Sequence, residues 1–265
     1  MNGQEICSAL KEGKRIYGTL IVSTSPRWLV EVKKIGLDFV FIDTEHIAID
    51  MEKLSWMCWT YRGMNLAPIV RIPSPDPYQA CKALDVGASG IIAPYVETVE
   101  EVKALVGAVK FHPIKGEKLR NVLNKKESFE TGLKHYLQER NEGNVLIVNI
   151  ESTPAVENLD SIIKVSGLDA ILIGPHDLSC SLGIPEEYRH PQFVKCVKMI
   201  IKKARDNNVG VGIHYWEEIE EEIKWIKGGT NLIVHSSDID VFSENMRTDF
   251  QKIKQELGEG GIIKK

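Results

Sequence analysis

No run in this 265-residue chain approaches the roughly 18 consecutive apolar residues of a membrane-spanning helix. The opening stretch MNGQEICSALKEGK also lacks the apolar core of a secretory signal. Cysteine is scarce: Cys7, Cys58, Cys81, Cys180 and Cys196 are odd in number, far apart and without a C-x-x-C pair. That spacing argues against a zinc ribbon or a redox dithiol and reads as reduced thiols of a cytoplasmic protein. A large excess of one charge is absent too. A net charge of −4 gives no reason to expect nucleic acid or an anionic membrane as partner. No G-x-G-x-x-G or Walker sequence announces a doubly wound nucleotide-binding sheet. No repeat or linker divides the chain, and α/β barrels of about 200–250 residues commonly form one domain.

Eight apolar runs are present instead. They cover Arg15 to Val22, Leu37 to Asp43, Leu66 to Ile72, Ser89 to Val96, Val145 to Ser152, Leu168 to Gly174, Val209 to Ile213 and Asn231 to His235. Short apolar runs without polar alternation are strands buried on both faces, as in parallel sheets. Between the first two, Trp28, Leu29, Val32 and Ile35 recur at helical spacing and Gly36 closes the helix. Further helices are expected over 50–62, 78–86, 98–110, 154–166, 191–207, 216–227 and 238–257, with a frayed tail from Gly258. Eight strand and helix alternations predict a closed α/β (β/α)8 TIM barrel spanning 1–265 as a single domain; a doubly wound open sheet is the alternative. From Phe111 to Gly143, after the fourth helix, the rhythm breaks into a polar, lysine-rich insertion with room for one amphipathic helix in its second part. An insertion of that length is a lid, an oligomer contact or a plain solvated loop.

In such a barrel the chemistry sits at the carboxyl ends of the strands. The residues there are Asp43, with Glu45 and His46 beyond it, Arg71, Pro94 and Tyr95, Glu151, Gly174 with the Pro175-His176-Asp177 turn, His214, His235 and Ser236. Glu151 and Asp177 end successive strands, a placement that lets two hard carboxylates share one Mg²⁺ or Mn²⁺. Each also reads as a helix-starting residue. Arg71 closes an apolar strand, and a buried guanidinium without a partner costs on the order of several kcal/mol. It therefore pairs with Asp43 or Glu151, or awaits an anionic ligand. His46 reads as catalytic or as a loop bridge, Asp85 inside its helix as a surface residue, and His214 and His235 as structural. Trp56 and Trp59 read as packing on the barrel, and the glutamates around Glu220 as a solvated face.

Five stretches together carry a resemblance that runs from Gly18 to about Asp238: FIDTEH (Phe41 to His46), IVRIP (Ile69 to Pro73), LDVGASGIIAPYVET (Leu84 to Thr98), VNIES (Val148 to Ser152) and IGPHDLSCSLG (Ile173 to Gly183). The chain resembles the HpcH/HpaI aldolases of the phosphoenolpyruvate-binding barrel superfamily. The resemblance implies a class II aldolase that cleaves or forms 4-hydroxy-2-oxo acids, with pyruvate and an aldehyde as partners. By similarity, Glu151 and Asp177 hold a divalent metal, Mg²⁺, Mn²⁺ or Co²⁺. Arg71 sits on the ketone oxygen, His46 held by Asp85 is the acid/base, and Asp43 orders water. Gly174, Pro175, His176 and Asp177 receive the pyruvate carboxylate. It also implies a homo-oligomer, typically a hexamer that exchanges the last helix, here 238–257.

The sequence departs from the family pattern at Ile47, where a small residue is usual, at His176, where alanine or asparagine is usual, and in the loop HPIKGEKLRN at 112–121. All three flank the aldehyde side and bear on substrate range. Two alternatives follow: an acyl-CoA lyase of the citrate and malyl-CoA type, or a catalytically decayed barrel that binds a 2-oxo acid.

Overall fold

All eight apolar runs become strands of one parallel sheet that closes on itself. In the computed structural model, which describes residues 1–215 and 218–259, these are β1 (Ile16–Ile21), β2 (Phe39–Asp43), β3 (Ala67–Arg71), β4 (Gly90–Ala93), β5 (Val145–Ile150), β6 (Ala170–Ile173), β7 (Gly210–Tyr215) and β8 (Leu232–Ser237). They are hydrogen-bonded in chain order, and β8 returns to β1. The closed barrel excludes the open doubly wound sheet.

The outer ring consists of α2 (Pro26–Lys34), α3 (Met51–Gly63), α4 (Pro77–Asp85), α5 (Val99–Lys110), the short pair α8 (Thr153–Glu157) and α9 (Leu159–Ile162), α11 (Pro191–Asp206), α12 (Ile219–Lys227) and α13 (Asp238–Glu256), with α1 (Gly3–Lys11), α6 (Gly116–Leu123), α7 (Thr131–Asn141) and α10 (Pro175–Ser181) outside the simple alternation. The period-2 geometry of a strand sends alternate side chains to opposite faces. One set, including Val40, Ile42, Val70, Ile91, Val148 and Ile171, packs against the helices. The other, including Phe39, Phe41, Ala67, Ile69, Ile92, Val145, Ile147, Leu172 and Val234, fills the barrel.

Several elements differ from the reading of the sequence. The insertion holds two helices rather than one: Leu119, Val122 and Leu123 give the short α6 an apolar stripe, and Leu119 and Leu123 lie against Gly107 of α5 although no residue of α6 is fully buried. The helix expected over 154–166 is broken at Asn158, which caps α8 (φ −87°, ψ 0°). Of the helix expected over 216–227, Trp216 and Glu217 lie outside the described residues, as does most of the tail expected to fray. Among the described residues, no helix is long and apolar enough to cross a membrane.

Helix α1 was not anticipated. A capping box starts it: Asn2 accepts from the Glu5 amide and Glu5 accepts from the Asn2 amide. Its buried residues Ile6, Ala9 and Leu10 join the interior cluster of the barrel. A Cβ on Gly210, the first residue of β7, would stand 2.7 Å from Leu10 Cδ2. The helix therefore plugs the amino end of the barrel.

Candidate active site

The interior row of each strand is apolar until its carboxyl end, where it turns polar. Following alternate residues upward, Phe41 leads to Asp43, Ile69 to Arg71, Ile147 to Asn149 and Glu151, Leu172 to Gly174, and Val234 to Ser236. Asp43 and Arg71 are register partners on β2 and β3. The guanidinium forks onto the carboxylate, with Nε donating to Oδ1 at 2.8 Å and Nη2 to Oδ2 at 2.7 Å. Arg71 also lies over the Phe41 ring, 5.3 Å from its centroid. Burial alone would push the Asp43 carboxyl up, but the bonded guanidinium holds it below the usual carboxylate range.

The turn after β2 adds a second acid. Thr44 donates its amide and hydroxyl to the Arg71 carbonyl, and the Glu45 amide donates to Asp43 Oδ1 at 3.0 Å. Glu45 Oε2 comes within 3.0 Å of Arg71 Nε, whose single proton is already given to Asp43. That buried oxygen is left without a hydrogen-bond donor.

Across the mouth, Glu151 is 7% exposed and accepts from the Tyr95 amide at 2.6 Å and from Asn149 Nδ2 at 2.9 Å. Burial pushes its carboxyl up, with the charges of Asp177 and Glu45 acting in the same direction against those two hydrogen bonds. A Cβ on Gly174 would stand 2.9 Å from Glu151 Oε2 and 3.7 Å from Asp177 Oδ2. The two carboxylates thus meet about a residue that has no side chain. Three acids, Asp43, Glu45 and Glu151, act on the one guanidinium, and Asp177 stands on the far side of Gly174 from Glu151. Among the described residues there is no cluster of three or more His, Cys, Asp or Glu arranged to hold a metal; Glu151 and Asp177 are a pair.

Of the other residues, Asp85 and Glu222 fall differently from expectation. His46 is on the rim with its side chain 62% exposed, and its Nε2 stands 3.6 Å from Glu45 Oε1. Asp85 does not meet it. Helix α4 runs antiparallel to the strands, so its last residue lies at the amino end of the barrel, where Asp85 Oδ1 stands 3.3 Å from His112 Nε2. Within one chain Asp85 keeps the surface position that its helix suggested. His176 is exposed on α10, 3.7 Å from Glu186 Oε1. His214 lies edge-on to Phe41, and burial lowers its pKa to about 4, which keeps it neutral at physiological pH. Glu222, read as part of a solvated face, is buried and bonded to His235 at 2.6 Å.

Two contributors carried no assigned role in the sequence reading. Asn149 had only its place two residues before Glu151 as a signal. Tyr95 adopts φ +54°, a left-handed backbone that costs a residue with a Cβ about 1–2 kcal/mol, and nothing in its sequence context foretells this.

A parallel barrel whose interior row ends in acids and one locked arginine defines an enzyme of the (β/α)8 class, with its site at the carboxyl mouth. The sequence profile of the HpcH/HpaI aldolase/citrate lyase family matches residues 17–244, and the chain belongs to that family. It is 30% identical over 218 residues to 5-keto-4-deoxy-D-glucarate aldolase of Escherichia fergusonii, covering 82% of each chain. The crystal structure of an HpcH/HpaI aldolase from Desulfitobacterium hafniense superposes with a TM-score of 0.80 at 26% identity, covering 93% of this chain and 95% of that one. Citrate synthase SbnG superposes with a TM-score of 0.81 at 29% identity, covering 96% and 98%. These likenesses make the protein a lyase of the aldolase type, with small-molecule substrates.

Proposed function

We propose that the protein is a class II, divalent-metal-dependent aldolase that cleaves 4-hydroxy-2-oxo acids to pyruvate and an aldehyde, and condenses the two in reverse. The observation that carries this reading is the meeting of Glu151 and Asp177 about Gly174, opposite an arginine locked by Asp43. Two hard carboxylates, one desolvated and pushed up by its acidic neighbours, fit a divalent cation. Glu151 and Asp177 would hold Mg²⁺, Mn²⁺ or Co²⁺. Bound there, the cation supplies positive charge to the carboxylate and ketone oxygens of pyruvate.

The chain's own groups perform the remaining steps. Arg71 Nη1 has no hydrogen bond among the described residues, and the fork on Asp43 keeps it from turning away. It faces the ketone oxygen, which becomes an enolate oxygen as the carbon–carbon bond breaks. One such preorganised donor is worth about 3 kcal/mol in the transition state. His46 takes the 4-hydroxyl proton in cleavage and returns it in synthesis, a task suited to imidazole, whose ordinary range lies nearest neutral pH. Within the chain its carboxylate neighbour is Glu45. Asp43 orders water beside Arg71, and the turn from Gly174 to Asp177 receives the pyruvate carboxylate.

Exchange of the pyruvate methyl protons in D₂O, followed by NMR, tests the reading without a guess about the aldehyde. Exchange with Mg²⁺ or Mn²⁺ that stops on adding a chelator is the expected outcome; exchange indifferent to chelator would sink the metal-dependent reading. The likeness to citrate synthase SbnG favours a second reading, a carbon–carbon lyase acting on acyl-CoA esters. Turnover of acyl-CoA substrates without pyruvate exchange would establish that alternative.

A homo-oligomer that exchanges α13 is part of the proposal. The 19 residues of α13 bury no side chain in their own protomer. They nevertheless present Ile239, Phe242, Met246, Phe250 and Ile253, all exposed, at helical spacing. A stripe of this kind is the face an amphipathic helix buries against another element. The double variant Phe242→Glu/Phe250→Glu is expected to lower the mass measured by light scattering to that of a smaller species. An unchanged mass, or a wild-type monomer, would remove α13 from the interface.

A further inference from the structure

Strand β7 sends a single ring into the barrel. Its inward positions are Gly210, Gly212 and His214, because Val211 and Ile213 between them pack against the helices. With two glycines in that row, the only side chain it carries is that of His214.

A hydrogen bond and a ring contact seat the imidazole. Nε2 lies 3.2 Å from the Ser236 carbonyl oxygen, and since a carbonyl accepts but cannot donate, that nitrogen carries the proton. Ser236 adopts φ +48°, a left-handed backbone that a Cβ disfavours, and Thr19 on β1 pins the same turn by donating its hydroxyl to the His235 carbonyl at 2.7 Å. The imidazole also meets the Phe41 ring edge to face, with centroids 5.6 Å apart and planes at 73°, within the range in which aromatic pairs attract.

Phe41 in turn lies beneath Arg71. The guanidinium carbon stands 5.3 Å from the centroid of the fully buried Phe41 ring. A ring packed at its edge keeps its face in place, whereas a ring beside a void is free to turn. The fork on Asp43 fixes the guanidinium within its own plane, and the Phe41 face limits its tilt out of that plane. The stack adds no charge of its own: burial lowers the His214 pKa to about 4, with the Arg71 charge acting in the same direction, so the imidazole is neutral at physiological pH.

We infer that His214 is a positioning residue: through Phe41 it holds the Arg71 guanidinium level at the mouth, aligned with the oxygen on which it acts. The consequence for rate rests on the pyruvate-aldolase reading; the alignment of Arg71 does not.

Two substitutions separate the ring from the hydrogen bond. His214→Phe keeps a ring edge against Phe41 and gives up the tie to Ser236, whereas His214→Gln keeps an amide donor for Ser236 and gives up the ring. In the Mg²⁺-loaded protein, phenylglyoxal modification of Arg71, followed by peptide mass spectrometry, reads how firmly the guanidinium is held. The modification rate is expected to rise about three- to tenfold in His214→Gln, the worth of one aromatic pair, and to stay at the wild-type value in His214→Phe. Phe41→Leu should raise it as well, with no further rise when combined with His214→Gln, as for residues that act through one another. In pyruvate methyl exchange, His214→Gln is expected to lower kcat by a similar factor and leave KM unchanged, because an aligned donor acts on charge that develops in the transition state. His214→Phe should restore the rate. Arg71 reactivity that is unchanged in His214→Gln or in Phe41→Leu, or raised equally by the glutamine and phenylalanine variants at 214, would overturn the inference. Wild-type protein that exchanges no pyruvate protons would remove the aldolase reading, and the reactivity of Arg71 then decides the inference on its own.

Discussion

Glu151→Gln is expected to lower metal-dependent pyruvate exchange by at least about a hundredfold and, in metal-free protein, to raise the melting temperature. The loss follows from removing one of the two anionic ligands proposed for the cation, given that even indirect supports of a metal site are worth roughly 10–100-fold. The gain in stability follows from the surroundings of the carboxylate. Glu151 is buried, its carboxyl is pushed up by burial and by neighbouring acids, and Asn149 Oδ1 beside it is buried without a donor. A glutamine at 151 still accepts from the Tyr95 amide, and its own amide can donate to Asn149 once that side chain turns over. The bond with Asn149 is exchanged rather than added, so the gain comes from removing a buried charge that burial and neighbouring acids disfavour; a gain of about 1 kcal/mol corresponds to about 2–4 °C for a chain of this size.

The pH dependence has a defined sign. A carboxyl raised in the folded state stabilises the fold only while protonated; that contribution is present below its unfolded value near about 4.3 and is lost as pH rises through the folded value. The advantage of the variant should therefore open above about pH 4 and close below it. Saturating Mn²⁺ should reverse the order, because only the wild type gains from binding. Calorimetry across pH, with and without metal, reads both effects, and a variant less stable than wild type in chelator would refute the argument.

Arg71→Ala carries the largest expected cost in stability. Arg71 neutralises Asp43, 2% exposed, and lies against Glu45, 7% exposed, with Glu151 close enough to feel its charge. Removing one partner of a buried pair typically costs about 3–5 kcal/mol, and losing the donor to the developing oxyanion costs about 10²–10³ in rate. In the wild type the depressed Asp43 carboxyl contributes stability above its unfolded value near about 3.9 and loses it as pH falls through the folded value. Without the guanidinium, burial alone acts on Asp43, and the sign inverts: denaturant midpoints of Arg71→Ala should rise between pH 7 and pH 5. Arg71→Lys keeps a charge without the fork, and is expected to fold while losing most activity. The double variant Arg71→Ala/Asp43→Asn should recover much of the lost stability. Wild-type midpoints for Arg71→Ala would refute the account.

The barrel was legible because strands buried on both faces leave an unmistakable apolar record, and the position of each site residue followed from where that record stops. Asp43, Arg71, Glu151 and Gly174 needed only the two-residue period of a strand. Long-range pairing was not legible. Glu222 looks like the glutamates beside it, and only the fold brings it to His235, 13 residues on. Asp85 was assigned to His46 by resemblance, whereas the antiparallel run of α4 carries it to the opposite end of the barrel. Helix α1 had its capping box in plain sight at Asn2 and Glu5, and Ile6, Ala9 and Leu10 recur at helical spacing, but nine residues are too short a window for that period to stand out. The left-handed turn at Tyr95 lacked a glycine or asparagine to mark it.

The plug formed by α1 has a kinetic meaning. The side chains that fill the barrel, with Ile6 and Leu10 packed beneath them at the amino end, leave the carboxyl mouth as the approach to the site, and whatever sits nearest Gly174 there enters first and leaves last. In the proposed reaction that molecule is pyruvate. In that proposed reaction synthesis follows a compulsory order, oxo acid before aldehyde, and in cleavage the aldehyde departs while the enolate is still held, so a proton returns to that carbon before the next molecule can come in.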